Sequence, residues 1–180
     1  MSFKKGKIYG YEKVERVEYL RQIYKRFEED IGTCLNLIKN YNQNSGNNIG
    51  FWVSVRIIMP VIESVAKTLD TSPENVLKNM GVKTPHLMWD MFRNSLTHGD
   101  QLNSAQLSGT KIRWGISIEN FECISSRGLI HYDADDIFSR LKRLILSEIK
   151  KGDKSLIRVP TVIKYINPSK EIIEEFELAS

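Results

Sequence analysis

At 180 residues, with 41% apolar and 27% charged side chains, the chain has the size of one ordinary domain and enough apolar content for a core without a metal or disulfide staple. Its two cysteines, Cys34 and Cys123, lack metal-ligand or redox-pair spacing and read as free thiols, the pattern of a reducing compartment. A formal charge of +4 is only mildly basic, so charge alone does not identify a nucleic-acid binder.

The N-terminus, Met1-Ser2-Phe3-Lys4-Lys5-Gly6, has no apolar run behind its lysines, and no signal peptide is expected. Lys4, Lys5, Lys7, Lys13, Arg16, Arg21, Lys25 and Arg26 crowd this end. They read either as an arm for a nucleic-acid backbone or as a solvated face, since Glu12, Glu15 and Glu18 interleave with them. From about 10 to 43, Val14, Val17, Leu20, Phe27, Ile31, Leu35 and Ile38 recur three or four apart, predicting one long amphipathic helix. Short polar residues and glycine over Asn42 to Asn48 predict a loop.

A second helix is expected from about Ile49 to Leu69, apolar on most sides like the central helix of a bundle, with a kink at Pro60. Arg56, Pro60 and Glu63 interrupt its apolar run, which is too short and polar to span a bilayer. The chain is therefore expected to be soluble and cytoplasmic, with no membrane partner. Arg56 and Glu63 are seven apart and nearly on one face. They read as a structural ion pair, as an exposed edge, or as the border of a site, because buried charge is costly unless paired or used.

Ser72-Pro73-Glu74 and Thr84-Pro85 each open a helix with a cap and a proline in the first turn, and Gly81 and Gly99 end them. In the second of these, Leu87, Met88, Met91, Phe92 and Leu96 form the apolar face. At about 100° per residue, Asp90, Asn94 and His98 then share a different stripe, with Arg93 beside it. His86 reads as a surface residue, and Trp89 as packing rather than a base-stacking platform.

After a polar loop the period changes to two. Ile112, Trp114, Ile116 and Ile118 alternate with polar residues, predicting a strand, and a second strand is expected within Phe121 to Ser125 or Leu129 to Tyr132. A small antiparallel hairpin over about 110–132 is the expected result. Residues 134–151 predict a last long amphipathic helix capped by Asp133 and stopped by Gly152. Beyond it, with Pro160 and Pro168 as breakers, a short extended segment and a short acidic helix are expected over 152–180. No repeat or domain boundary is evident, so 1–180 is read as one mainly α domain.

The run Phe92-Arg93-Asn94-Ser95-Leu96-Thr97-His98-Gly99 resembles the signature of the HEPN superfamily, an arginine followed by a polar residue and, a few positions on, a histidine. Its place at the end of the last helix of an all-helical half also resembles that family. The resemblance covers about 10–151 and implies a bundle of four to five helices, dimerised so that two copies of the motif share a cleft. It further implies metal-independent RNA cleavage in toxin, abortive-infection or antiviral roles, with no cofactor and no metal. Arg93 and His98 would then be the catalytic pair and Asn94 the supporting polar residue. Arg56, Glu63, Asp90 and Asp100 are the candidate substrate-side residues. Asp100 stands where a toxin subgroup carries a tyrosine modified by a partner nucleotidyltransferase, which counts against an antitoxin of that type, though another antitoxin or defence partner stays open.

The chemistry also stands on the residues themselves. RNA is cut without a metal if a base takes the 2′-hydroxyl proton and a cation stabilises the charge developing on phosphorus. Histidine titrates near neutrality, and arginine binds phosphate through a planar fork. One histidine supplies only half of an acid/base set, so a two-fold dimer would bring the other. Walker, dinucleotide, zinc-protease and nucleophile-elbow motifs are missing from the sequence. The alternative is a HEPN-like domain that binds RNA or a nucleotide without cutting, or one whose Arg93 and His98 only tie an interface.

Overall fold

The computed structural model describes residues 6–47, 49–94, 105–107, 110–118, 125–126, 129–166 and 169–178. The described chain is mainly helical and divides into two compact units, residues 16–154 and residues 1–15 with 155–180. Among the described residues no helix is long and apolar enough to cross a membrane.

In the larger unit, α1 (Arg16–Arg26) and α2 (Thr33–Ser45) are joined without a break by a π-helical segment, Phe27–Gly32. The sequence carries the cause. Phe27, Ile31 and Leu35 are spaced by two consecutive fours, each of which drifts the apolar stripe by about 40° around an α-helix. The wider π turn absorbs that drift, and Phe27 and Leu35 both reach the core at 1% and 2% exposure. Phe27 stacks on Phe138 with ring centroids 4.3 Å apart. The helix ends at Gly46, which takes the left-handed conformation expected of a glycine cap.

The central helix, α3 (Phe51–Thr68), carries Pro60 inside it. Val55, Ile58, Ile62 and Val65 are fully buried along it. Two buried hydroxyls in this apolar setting are satisfied locally: Ser54 Oγ donates to the Phe51 carbonyl at 2.6 Å and Thr68 Oγ1 to the Ser64 carbonyl at 2.7 Å. Helix α4 (Pro73–Asn79) starts as its sequence predicts, with Ser72 Oγ accepting from the Asn75 amide at 3.2 Å. Helix α5 (Pro85–Met88) runs directly into a second π-helix, Trp89–Asn94.

The β-structure of this unit corrects the expected hairpin. Strand β3 (Thr110–Ser117) pairs antiparallel with the preceding β2 (Ala105–Leu107) but parallel with β5 (Leu129–Asp133), and β4 (Ser125–Ser126) adds antiparallel to the far edge. Alternation assigns each residue to a face of the sheet, and it does so equally for either strand direction, so the pattern is blind to parallel pairing. Tyr132 and Ile130 turn to the core, where Tyr132 meets Phe92 at 5.1 Å between centroids. Helix α6 (Ala134–Lys151) follows at once, with Asp133 accepting from the Asp136 amide at 2.9 Å and Gly152 left-handed at its end.

The smaller unit holds β1 (Gly6–Glu15), paired antiparallel with β6 (Leu156–Ile166), and α7 (Lys170–Leu178). Residues 10–15 are thus strand, where the sequence pattern predicts helix. Their partner lies some 150 residues away, and a ladder that distant leaves no local periodicity to read. Pro160 does not break β6. It sits beside a register shift between Gly10 and Tyr11, in a two-stranded ladder where a missing N–H is tolerated.

Candidate functional site

Arg93 lies in the second π-helix, one residue after the deeply buried Phe92. Met88, Met91 and Phe92 anchor that segment in the core, as their apolar pattern predicts, and Trp89 is also nearly buried at 8% exposure. The π geometry changes the expected angular arrangement, because bonds from residue i to i+5 widen the turn and the 100° count used for an α-helix no longer applies. Arg93 instead reaches back over Trp89, its guanidinium carbon 5.9 Å from the ring centroid.

From α3, Glu63 meets it. Glu63 Oε2 accepts from Arg93 Nη2 at 3.0 Å, and Glu63 Oε1 accepts from Lys67 Nζ at 2.8 Å. One carboxylate therefore holds two cations, one on each oxygen. The side chains of Arg93 and Glu63 are 19% and 29% exposed, whereas Lys67 is 75% exposed. Arg93 Nε and Nη1 are shut off from solvent and find no acceptor among the described residues. A buried donor of a charged group costs about 1–3 kcal/mol or more when unmatched, so acceptors for these two atoms matter to how the guanidinium is held.

These groups border a cleft of about 310 Å³ whose lining includes Glu63, Lys67, Thr71, Pro73, Trp89 and Arg93. Thr71 Oγ1 accepts from Asn75 Nδ2 at 3.2 Å, which leaves its own proton to donate. The Lys67 ammonium, against the opposing effect of burial, and then the Arg93 guanidinium hold the Glu63 carboxyl below its usual pKa. Its folded-state pKa being depressed, the resulting stability is present above the unfolded value and is lost as pH falls through the folded one. Glu63→Gln is accordingly expected to lower the urea midpoint at neutral pH, with the gap from wild type closing as pH drops below about 4. A gap independent of pH would contradict this assignment.

Of the residues singled out in the sequence, Arg93 and Glu63 are brought together. Arg56 is exposed on α3, about two turns before Glu63, and does not line the cleft. Asp90 is exposed on the π-helix. Asn94 ends that helix; its side chain, and all of His98 and Asp100, lie outside the described residues. Lys67 and Thr71 join the site without being singled out by any motif, although Lys67 stands four residues after Glu63, the favourable order for a helical ion pair.

A second polar cluster also escaped the sequence reading. Ser117 and His131, on neighbouring parallel strands, lie with Oγ and Nε2 2.8 Å apart, and the Ser117 hydroxyl donates to Asp133 Oδ2. The residue types are those of a hydrolase triad, but the order differs. With its single proton given to Asp133, Ser117 can only accept from His131, whereas a nucleophile must donate to its base. The cluster thus ties β3 and β5 to the capping residue of α6.

No family model, curated protein or solved structure matches the chain.

Proposed function

We propose that this chain is a metal-independent endoribonuclease of the HEPN type, acting as a homodimer in a toxin or phage-defence setting. The observation that carries the reading is Arg93: a guanidinium oriented by Glu63, backed by Trp89 and bordering a cleft. Arg93 would bind the scissile phosphate and stabilise its developing charge. His98 would take the 2′-hydroxyl proton, and His98 of the second copy would protonate the leaving 5′-oxygen. Asn94 would orient one of these groups. The products would be a 2′,3′-cyclic phosphate and a 5′-hydroxyl. No cofactor enters this chemistry.

The test is specific activity on an RNA pool across a dilution series. Activity per chain is expected to fall as the dimer dissociates. Constant activity would remove the shared two-fold site, and no cleavage at any concentration would move the assignment to an RNA- or nucleotide-binding domain without turnover.

A further inference from the structure

We infer that the cleft beside Arg93 is a phosphate subsite of the RNA chain, with Lys67 as its cation and Thr71 as its neutral donor. This rests on the ribonuclease reading above and extends it to a neighbouring nucleotide. The Glu63 carboxylate is the organising element. It takes one donor from Arg93 and one from Lys67, so it fixes the two cations one carboxylate apart while leaving each with further N–H groups to give. With one acid against two bases, this cluster carries a net positive charge, as a site for a backbone phosphate requires.

The two cations differ in a way that suits adjacent roles. Arg93 is largely buried and tied down, with its guanidinium against Trp89, which suits a phosphate that must be held in one geometry. Lys67 is mostly exposed on a flexible stem at the cleft's rim, which suits a phosphate that needs only charge. A surface ion pair such as Lys67 with Glu63 contributes little to stability, so exchanging that contact for a phosphate oxygen costs the fold little. The cleft, at about 310 Å³, reaches the lower end of the range in which small ligands bind.

The experiment measures binding of a 2′-O-methyl oligoribonucleotide, which the proposed reaction cannot cut, over a salt series. Lys67→Ala is expected to weaken binding about threefold to tenfold at low salt and to reduce the slope of log K against log salt by about 0.7, the single-strand value for one phosphate contact. Lys67→Arg should restore the slope. Lys151→Ala is the matched control, since Lys151 is also exposed and paired with a glutamate on its own helix, Glu148; it should leave the slope unchanged. An unaltered slope in Lys67→Ala, or equal losses in Lys67→Ala and Lys151→Ala, would overturn the subsite. Cleavage of unmodified RNA is scored separately. Cutting with no Lys67 effect removes the subsite alone, whereas a Lys67 effect without cutting removes the nuclease and keeps the phosphate site.

Discussion

Arg93→Ala is expected to lower RNA cleavage by about two to three orders of magnitude, the usual cost of removing one preorganised donor from a developing oxyanion. Arg93→Lys should recover little of this, because an ammonium has neither the planar fork nor the reach to keep both the Glu63 contact and a phosphate. His98→Ala should fall as far or further, since general acid–base catalysis contributes about 10²- to 10⁴-fold. The loss in the Arg93 variants should not come from unfolding. Arg93 and Glu63 are both partly solvated, and Lys67 remains as a partner for the carboxylate when the guanidinium is gone. Thermal melts of the variants within a few degrees of wild type would accompany the activity loss. An Arg93→Ala protein that is folded and fully active would place the chemistry elsewhere.

Phe92→Ala is expected to be the most damaging single change to the fold near the site, at about 3–5 kcal/mol, because it combines lost burial with a cavity. The side chain is 1% exposed, packed at a tilt against the Tyr132 ring of β5, and lies beside Met88 and Met91 in the same anchoring face. Tyr132 is itself fully buried, so the surrounding residues have little freedom to collapse into the space. Phe92→Leu should cost considerably less, since it keeps most of the volume. Urea midpoints at constant m-value measure both. Activity should fall in Phe92→Ala beyond the loss of folded protein, because the residue that positions the backbone of Arg93 is the one removed. A cost below about 1 kcal/mol would contradict the packing described here.

Local chemistry was the legible part of this fold. Ser72 and Asp133 marked helix starts through a side-chain acceptor, Pro73 and Pro85 through a preset φ, and Gly152 a helix end through a missing Cβ, each a signal that acts within a few residues, whereas Thr84 makes no side-chain cap bond among the described residues. The strand at 10–15 was hidden because it is supported by a ladder to residues 156–162, far off in sequence, while its charged residues suit an exposed helix as well as an exposed strand. Parallel pairing of β3 with β5 was hidden for a related reason: period-two alternation carries no direction.

The site divides in the same manner. Arg93 was visible from its neighbours in sequence, and Glu63 from its conflict with an otherwise apolar helix. The meeting of the two, thirty residues apart, was one of three outcomes left open by that conflict. The π-helix that turns Arg93 toward Trp89 had no signature in the pattern, since the apolar spacing of Met88, Met91 and Phe92 fits an α-helix equally well. Ser117 and His131 meet only through strand pairing, and no spacing rule joins them.

The most direct measurement is incubation of purified protein with an RNA pool in excess chelator, followed by mapping of both product ends. The expected products carry 2′,3′-cyclic phosphate and 5′-hydroxyl ends, form in chelator and vanish with Arg93→Ala. Cleavage that chelator abolishes, or that leaves 5′-phosphate ends, would contradict the proposed mechanism.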